Sequence, residues 1–318
     1  MKSNIDTTEY VLSEKDFADI FKTSVENLPV LCRKVIKESN FKYKVLTGKD
    51  RESVFLRVFS TLISGSLKIS GPHRKKDWEN GWKENYNDFV SGQFDLQKLI
   101  PKFVKHKEVI RFRGNYILPY DSNFETNFVK VIRYYLFSKY FKKPSKIFEF
   151  GCGTGLNLVA AAELFPKKQL IGLDWAQSSC LILEKLASSL NLEIKSILFD
   201  MFHPSKEVGI DRNSAVFTIG AMEQLGSDFK QFVNYIMKKK PSICINIEVI
   251  YELHNKDDLF EYVAAAYIER RNYLHGYLAY LKKLEKDRMV KIIEITKTFG
   301  GLYHDGYSYI VWKPIRKV

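Results

Sequence analysis

The pattern of apolar positions changes character near residue 145. Upstream of it, Phe17, Ile20, Phe21 and Val25, then Leu31, Val35 and Ile36, recur at helical spacing and predict helix over about 13–39, bent at Pro29. Residues 51–66 carry the same period. Gly71–Asn87 is polar, basic and tryptophan-containing and reads as a loop, and Val109–Leu118 reads as a hairpin around Gly114-Asn115. Ser122-Asn-Phe-Glu125 has the spacing of a capping box that opens a helix running to about Tyr140.

Downstream, short apolar strands alternate with helices. KIFEF (146–150), QLIGLD (169–174), EIKSILFD (193–200), SAVFTIG (214–220) and SICINIEVIY (242–251) are the strands, and Leu156–Phe165 opens the first connecting helix. That alternation predicts a parallel sheet covered by helices. VKIIEITKTF (290–299) and YSYIVWKP (307–314) have no helix between them and should pair antiparallel. Residues 256–287, apolar at Phe260, Val263, Tyr267, Leu274, Leu278 and Leu281, are too long for one sheet-covering helix at about 1.5 Å per residue, so a bend is expected at Tyr273–Gly276. The fold class is therefore α/β, a Rossmann-like seven-stranded sheet ending in an antiparallel strand pair. A mainly helical extension over 1–115 precedes a sheet domain over 116–318.

Composition narrows the classes. With 318 residues, 45% hydrophobic and 27% charged, the chain is long enough for two domains and too apolar for disorder. No uncharged apolar run approaches the roughly 18–20 residues that span a bilayer, and the acid-bearing N-terminus does not resemble a secretory signal. Cys32, Cys152, Cys180 and Cys244 are dispersed without a CxxC pair, which predicts reduced thiols, no structural zinc and a cytoplasmic location. The net charge of +13 invites anionic partners. Residues 1–115 hold 22 Lys/Arg against 15 Asp/Glu, densest at Arg74-Lys75-Lys76 and at Lys102, Lys105, Lys107, Arg111 and Arg113. Acids interleave with these bases throughout, as on solvated helix faces, so a nucleic-acid arm is the weaker reading.

The chemistry concentrates after the first strand of the sheet. Glu149-Phe-Gly151-Cys152-Gly153-Thr-Gly155 lies between strand and helix, where glycines let the backbone turn sharply and approach a ligand. Leu156 stands where a dinucleotide fingerprint needs a small residue. Glu149 is ill placed for a pyrophosphate but suits an ammonium group. Asp174 ends the second strand, placed to take two ribose hydroxyls; Asp200 ends the third, placed for an exocyclic adenine amine. Trp175 and Met201, each following one of these acids, can sandwich an adenine ring.

These three segments resemble the motifs of the class I S-adenosylmethionine-dependent methyltransferases: E-F-G-C-G-T-G the first, G-L-D-W the second, F-D-M-F the third. The resemblance covers about 120–318 and includes the antiparallel ending. It implies S-adenosyl-L-methionine as cofactor and S-adenosyl-L-homocysteine as product. Gly151, Cys152, Gly153 and Gly155 would line the methionine side, Asp174 the ribose, Asp200 the adenine, and Gly220 would lie beside the sulfonium.

The identity of the methyl acceptor is carried by the segments after strands four and five. The fourth strand lacks the Asn/Asp-Pro-Pro-aromatic motif that accepts a base amine and lacks a terminal acid for Mg²⁺, so a metal-independent enzyme is expected. I-E-V-I-Y-E-L (247–253), R-N-Y-L-H-G-Y-L-A-Y-L-K-K-L-E (271–285) and F-G-G-L-Y-H-D-G-Y-S-Y-I-V-W-K-P (299–314) are similar to sugar O-methyltransferases encoded with bacterial surface-polysaccharide genes. That implies a sugar hydroxyl as nucleophile, on a nucleotide-linked, lipid-linked or polymeric acceptor, with a peripheral membrane contact as an option. A positioned base would help such a hydroxyl by roughly 10²–10⁴-fold; His304, His275, His254, Glu248 and Glu223 are the candidates. A methyltransferase of RNA or another polyanion, and a non-catalytic cofactor-binding scaffold, are the alternatives.

Overall fold

The computed structural model describes residues 9–104, 108–205 and 207–315. The start of the expected leader-free N-terminus, and Lys105 and Lys107 of the basic patch, lie outside the described residues. The N-terminal region runs β1 (Glu9–Val11), α1 (Glu14–Ile20), α2 (Val30–Glu38), β2 (Lys42–Val45), α3 (Gly48–Ile63), α4 (Lys75–Ser91), β3 (Ile110–Phe112), β4 (Asn115–Pro119) and α5 (Phe124–Tyr140). A capping box opens α1: the Asp16 amide donates to Ser13 Oγ at 3.3 Å and the Ser13 amide donates back to Asp16 Oδ2 at 2.9 Å. The β3–β4 hairpin turns through Arg113 and Gly114, at φ 48° and 74°, the paired positive values that match strand twist.

Two expectations are corrected here. The segment expected as a loop over 71–87 is largely α4, because Trp82, Asn85 and Phe89 fall on one buried stripe while the lysines face water. Asn85 is satisfied inside by donating to the carbonyls of Lys98 (2.8 Å) and Ile100 (3.2 Å). The capping box at 122–125 does not form: the Asn123 amide donates to Asp121 Oδ1 at 2.7 Å, and Glu125 instead accepts from the Tyr307 hydroxyl at 2.7 Å. The N-terminal region is mainly helical, as expected, with short strands between its helices. Its strands, joined by β11 (Phe299–Gly300) from the far end of the chain, form a five-stranded antiparallel sheet in the order β1-β2-β4-β3-β11.

The remaining elements are β5 (Lys146–Phe150), α6 (Leu156–Leu164), β6 (Gln169–Asp174), α7 (Gln177–Leu190), β7 (Ile194–Leu198), β8 (Ser214–Ile219), α8 (Phe229–Lys239), β9 (Ile243–Ile247), α9 (Leu259–Arg271), α10 (Tyr277–Lys286), β10 (Val290–Thr296), β11 (Phe299–Gly300) and β12 (Tyr309–Pro314). The predicted bend separates α9 from α10. The main sheet has seven strands in the order β10-β12-β9-β8-β5-β6-β7, with β5 to β9 parallel and β12 antiparallel to both its neighbours. Its central strands are buried on both faces. Ile147, Phe217 and Ile245 serve one apolar core with α5 and α6; Phe148, Val216 and Cys244 serve the other with α8. β11 belongs to the N-terminal sheet, pairing Phe299 with Phe112 and Gly300 with Arg111. The boundary expected at 115/116 thus falls inside the β3–β4 hairpin, within a sheet that both halves of the chain build. No helix among the described residues is long and apolar enough to cross a membrane.

Candidate functional site

β5 pairs with β6 on one side and β8 on the other, so the order of connections reverses there, and a crevice opens beyond the carboxyl ends of these strands. The glycine loop fills its floor. Gly151, at φ 71°, comes so close to the fourth strand's exit that a Cβ would overlap the Ala221 methyl. The loop is held by Asp174 of β6: Oδ2 accepts from the Gly153 amide at 2.9 Å and Oδ1 from the Ala176 amide at 3.0 Å. Burial nevertheless pushes the Asp174 carboxyl up to about 6.

The hollow above the loop is lined by Gly151, Asp174, Trp175, Met201 and Gly220, all predicted from sequence, together with Trp78, Trp82, Phe199, Phe202, Ala221, Gln224 and Leu225. Trp175 lies stacked on Phe202 with ring centres 5.6 Å apart. Asp200 is half-buried and accepts from the Phe202 amide at 2.8 Å through Oδ1. The Cys152 side chain packs beneath the loop, its Sγ 3.0 Å from where a Cβ on Gly172 would lie, so only its backbone is placed to face the hollow.

Behind the loop runs a polar relay that sequence reasoning saw only at Glu149. Arg133 of α5 donates through Nη1 to Asn157 Oδ1 at 2.8 Å, and Asn157 Nδ2 donates to Glu149 Oε1 at 2.6 Å. Both ends remain open: Arg133 Nε and Glu149 Oε2 are buried with no partner. Burial pushes Glu149 up to about 8 against the opposing Asn157 bond and Arg133 charge. An unsatisfied donor beside an unsatisfied carboxylate is complementary to the ammonium and carboxylate of an amino acid.

On the other side of Gln224 lies a second wall. Tyr267 stacks on Tyr303 at 4.5 Å and 6°, and His304 packs against Tyr267 at 5.5 Å and edge-on to Tyr273 at 5.6 Å. Arg271 lies over Tyr273 at 4.6 Å and donates to the Tyr267 hydroxyl at 3.0 Å, leaving Nε without a partner. Glu223 shares this environment: burial and the neighbouring Glu248 charge push its carboxyl up to about 8, with Arg271 opposing. His304 is driven the other way, down to about 3, chiefly by burial, so its ring is neutral at physiological pH with Nδ1 unpartnered.

Of the five candidate bases, the structure brings Glu223 and His304 to this wall and assigns the others elsewhere. Glu248, fully buried, accepts from the amides of Ala221, Met222 and Glu223 at 3.1–3.2 Å and so caps the turn that carries Glu223; burial sets its carboxyl up at about 7. His254 is locked between Asp305 Oδ2 (3.1 Å) and the Tyr251 carbonyl (3.2 Å), leaving no free ring nitrogen to act as a base. His275 faces its own turn, with Nδ1 2.8 Å from the Tyr273 carbonyl. His254, Glu261 and Asp305 bring ligand-type atoms within 4.8 Å of one another, but Arg111 and Lys297 already pair with both carboxylates. Arg111, expected in a surface basic patch, is fully buried in this cluster.

No known protein-family model matches the chain. A ribosomal protein L11 methyltransferase from Lachnospira eligens is 26% identical over 146 residues, 45% of this chain and 44% of that protein, so the match spans less than half of that relative's length. The [4+2]-cyclase SpnF aligns with TM-score 0.47 and 12% identity over 73% of this chain and 77% of its own. The plantazolicin methyltransferase BpumL, crystallised with a triazolic desmethylPZN analog and SAH, aligns with TM-score 0.43 and 12% identity over 78% of this chain and 100% of its own. The seven-stranded, mostly parallel sheet and its antiparallel last strand pair are those the sequence predicts. The fold is a Rossmann-like α/β one.

The residues missed at the sequence level share one property. Trp78, Trp82, Arg133 and Tyr267 lie on helices whose site-facing side is set by packing, and no motif surrounds them. A signal existed for Asn157: it follows Gly155 by two positions, in the first turn of the helix behind the loop.

Proposed function

We propose that this protein is an S-adenosyl-L-methionine-dependent methyltransferase that methylates a hydroxyl of a sugar acceptor. The observation that carries the cofactor half is the pair of buried open atoms, Arg133 Nε and Glu149 Oε2, behind a glycine loop whose hollow is edged by Asp174. Carboxylates predominate here, as a cationic adenosyl ligand requires. The residues fit the group: Glu149 and Arg133 would hold its amino-acid end, Asp174 its ribose, Trp175 and Met201 its adenine, and Gly220 would lie by its sulfur. Bound there, the cofactor supplies an electrophilic methyl group on a positively charged sulfur.

The acceptor half rests on the second wall. Tyr303, His304 and Glu223, each only half-buried, offer an aromatic ring, an imidazole and a carboxyl to a pyranose ring, which hydrogen-bonds at its edge. Glu223 takes the hydroxyl proton. Its raised pKa lies near working pH, where a general base is most effective, and a cation in the adjacent hollow favours its ionised form. His304, neutral and with Nδ1 open, orients the same hydroxyl or a neighbouring one. Arg271, with Nε open, supports a phosphate-bearing acceptor, nucleotide- or lipid-linked, which also gives the basic surplus of the N-terminal region a use.

Two measurements test this. Calorimetry with S-adenosyl-L-homocysteine should show binding, and its absence overturns the cofactor assignment. A methyl-transfer screen over nucleotide sugars and oligosaccharides, read by mass spectrometry, should yield a product about 14 Da heavier per methyl group. Turnover confined to RNA or peptides overturns the sugar assignment and leaves the cofactor assignment standing.

A further inference from the structure

Helix α4 lies across the hollow assigned to the cofactor. A Cβ on Gly153 would stand 2.9 Å from Trp82 Cζ2, so the Trp82 indole rests directly on the middle glycine of the loop. Trp78, with its ring centre 5.4 Å from that of Trp82, lines the same hollow with its Nε1–H buried and unpartnered. The space left between α4 and the strand ends is about 60 Å³. Sites for ligands of this size run to roughly 300–1,000 Å³. The indole and an adenosyl ligand would thus contend for the face of Gly153.

A latch keeps α4 in place. The Glu79 carboxylate accepts from the Ser178 amide at 3.2 Å and from the Ser178 hydroxyl, in the first turn of α7, where unpaired amides and the helix dipole favour a negative charge. Elsewhere α4 is held by its buried stripe of Trp82 and Phe89 and by Asn85, which ties it to the neighbouring 98–100 turn and not to the sheet domain. The segment leading into α4 has a pivot at Gly71, at φ 146°, just after Ser70, whose amide donates to the Arg271 carbonyl at 2.8 Å.

We propose that α4 is a gate on the cofactor site: Trp82 competes with the cofactor for the face of Gly153, and the Glu79–Ser178 latch sets how often the site is open. This rests on the assignment of the hollow to S-adenosyl-L-methionine. Its consequence is that apparent affinity is the intrinsic affinity scaled by the open fraction, so releasing the latch tightens binding without adding any contact.

The test is stopped-flow intrinsic fluorescence with S-adenosyl-L-homocysteine on the full chain, comparing wild type with Glu79→Gln and Trp82→Ala. Two of the four tryptophans, Trp78 and Trp82, are on the gate. For wild type the observed rate should level off at high ligand concentration, at the opening rate. Loss of a charge-assisted latch should raise that ceiling and tighten binding by roughly tenfold in Glu79→Gln, and Trp82→Ala should move both in the same direction. Should one variant misfold, the other decides, and circular dichroism identifies which. Rates and affinities equal in all three proteins, with no saturation, overturn the gate alone. Absence of binding in every variant overturns the cofactor assignment and the gate with it.

Discussion

Asp174→Asn separates the site from the fold. The carboxylate uses both oxygens on backbone amides, Gly153 at 2.9 Å and Ala176 at 3.0 Å. Asparagine offers one oxygen, so either orientation turns an NH₂ group onto one of these N–H donors. A hydrogen bond to a charged group is worth roughly 1.5–3 kcal/mol. Burial has lifted this carboxyl from 3.8 to about 6, so its charged form costs the fold about 3 kcal/mol at neutral pH. That cost is already net of the amide bonds, so the neutral amide relieves it while setting an NH₂ group against one N–H donor, and the two changes oppose each other. No such offset applies to binding, because the glycine loop loses its anchor and the ribose loses an acceptor. S-adenosyl-L-homocysteine should therefore bind roughly 10–100-fold more weakly, while the thermal midpoint moves by no more than about 3 °C. Calorimetry gives the first and differential scanning fluorimetry the second. Wild-type affinity would refute the assignment of Asp174; a collapse of the midpoint in step with affinity would show that its role is structural.

Other outcomes are expected from the same geometry. Glu149 and Glu223 have folded-state values near 8 against 4.5 in the unfolded chain, so between those values the unfolded state ionises while the folded state keeps its protons, and stability falls as pH rises. Glu248, at about 7, acts in the same direction, whereas His304, lowered to about 3, costs stability only as pH drops through 6.5. The ligand-free protein should accordingly melt higher at pH 6.5 than at pH 8, and the reverse order would contradict the burial of these acids. Asp305→Asn leaves fully buried Arg111 without its nearest carboxylate and should cost about 3–5 kcal/mol in urea unfolding, most of it recovered by adding Arg111→Met; equal stability of Asp305→Asn and wild type would show that the cluster is not an ionic core. Glu223→Gln should lower kcat by roughly 10²–10⁴-fold with cofactor affinity unchanged, while His304→Asn should act mainly on the acceptor KM. The opposite split would exchange their roles.

What the chain discloses of this design depends on where packing, rather than periodicity, sets the environment. The parallel strands are legible because residues such as Ile243, Ile245 and Ile247 are buried on a strand with no solvated face. Glycine spacing marks the loop because Gly151 has no room for a Cβ. α4 is concealed because its outer face is lysine- and glutamate-rich and its buried stripe includes Asn85, a polar residue satisfied only by carbonyls of the 98–100 turn. Arg111 looks like surface charge beside Arg113, yet the turn after β3 sends the two to different partners, one onto Asp305 and the other onto Asp16. His254 looks like a base until Asp305, distant in sequence, takes its free nitrogen. A linear motif carries loop geometry well; it cannot carry the partner that a side chain meets across the fold.

The pairing of β11 with β3 also bears on the order in which the molecule can be made. Phe299 completes a sheet begun at Phe112, a separation of roughly 190 residues. At synthesis rates of roughly 5–20 residues per second, the edge of β3 waits some 10–40 s for its neighbour. Over that interval Arg111 has neither Asp305 nor Glu261 to pair with, and Phe112 and Phe128 lack the ring of Phe299 that later covers them. The unfinished edge is an adhesive surface on the nascent chain, and a chaperone binding site is the natural cover for it.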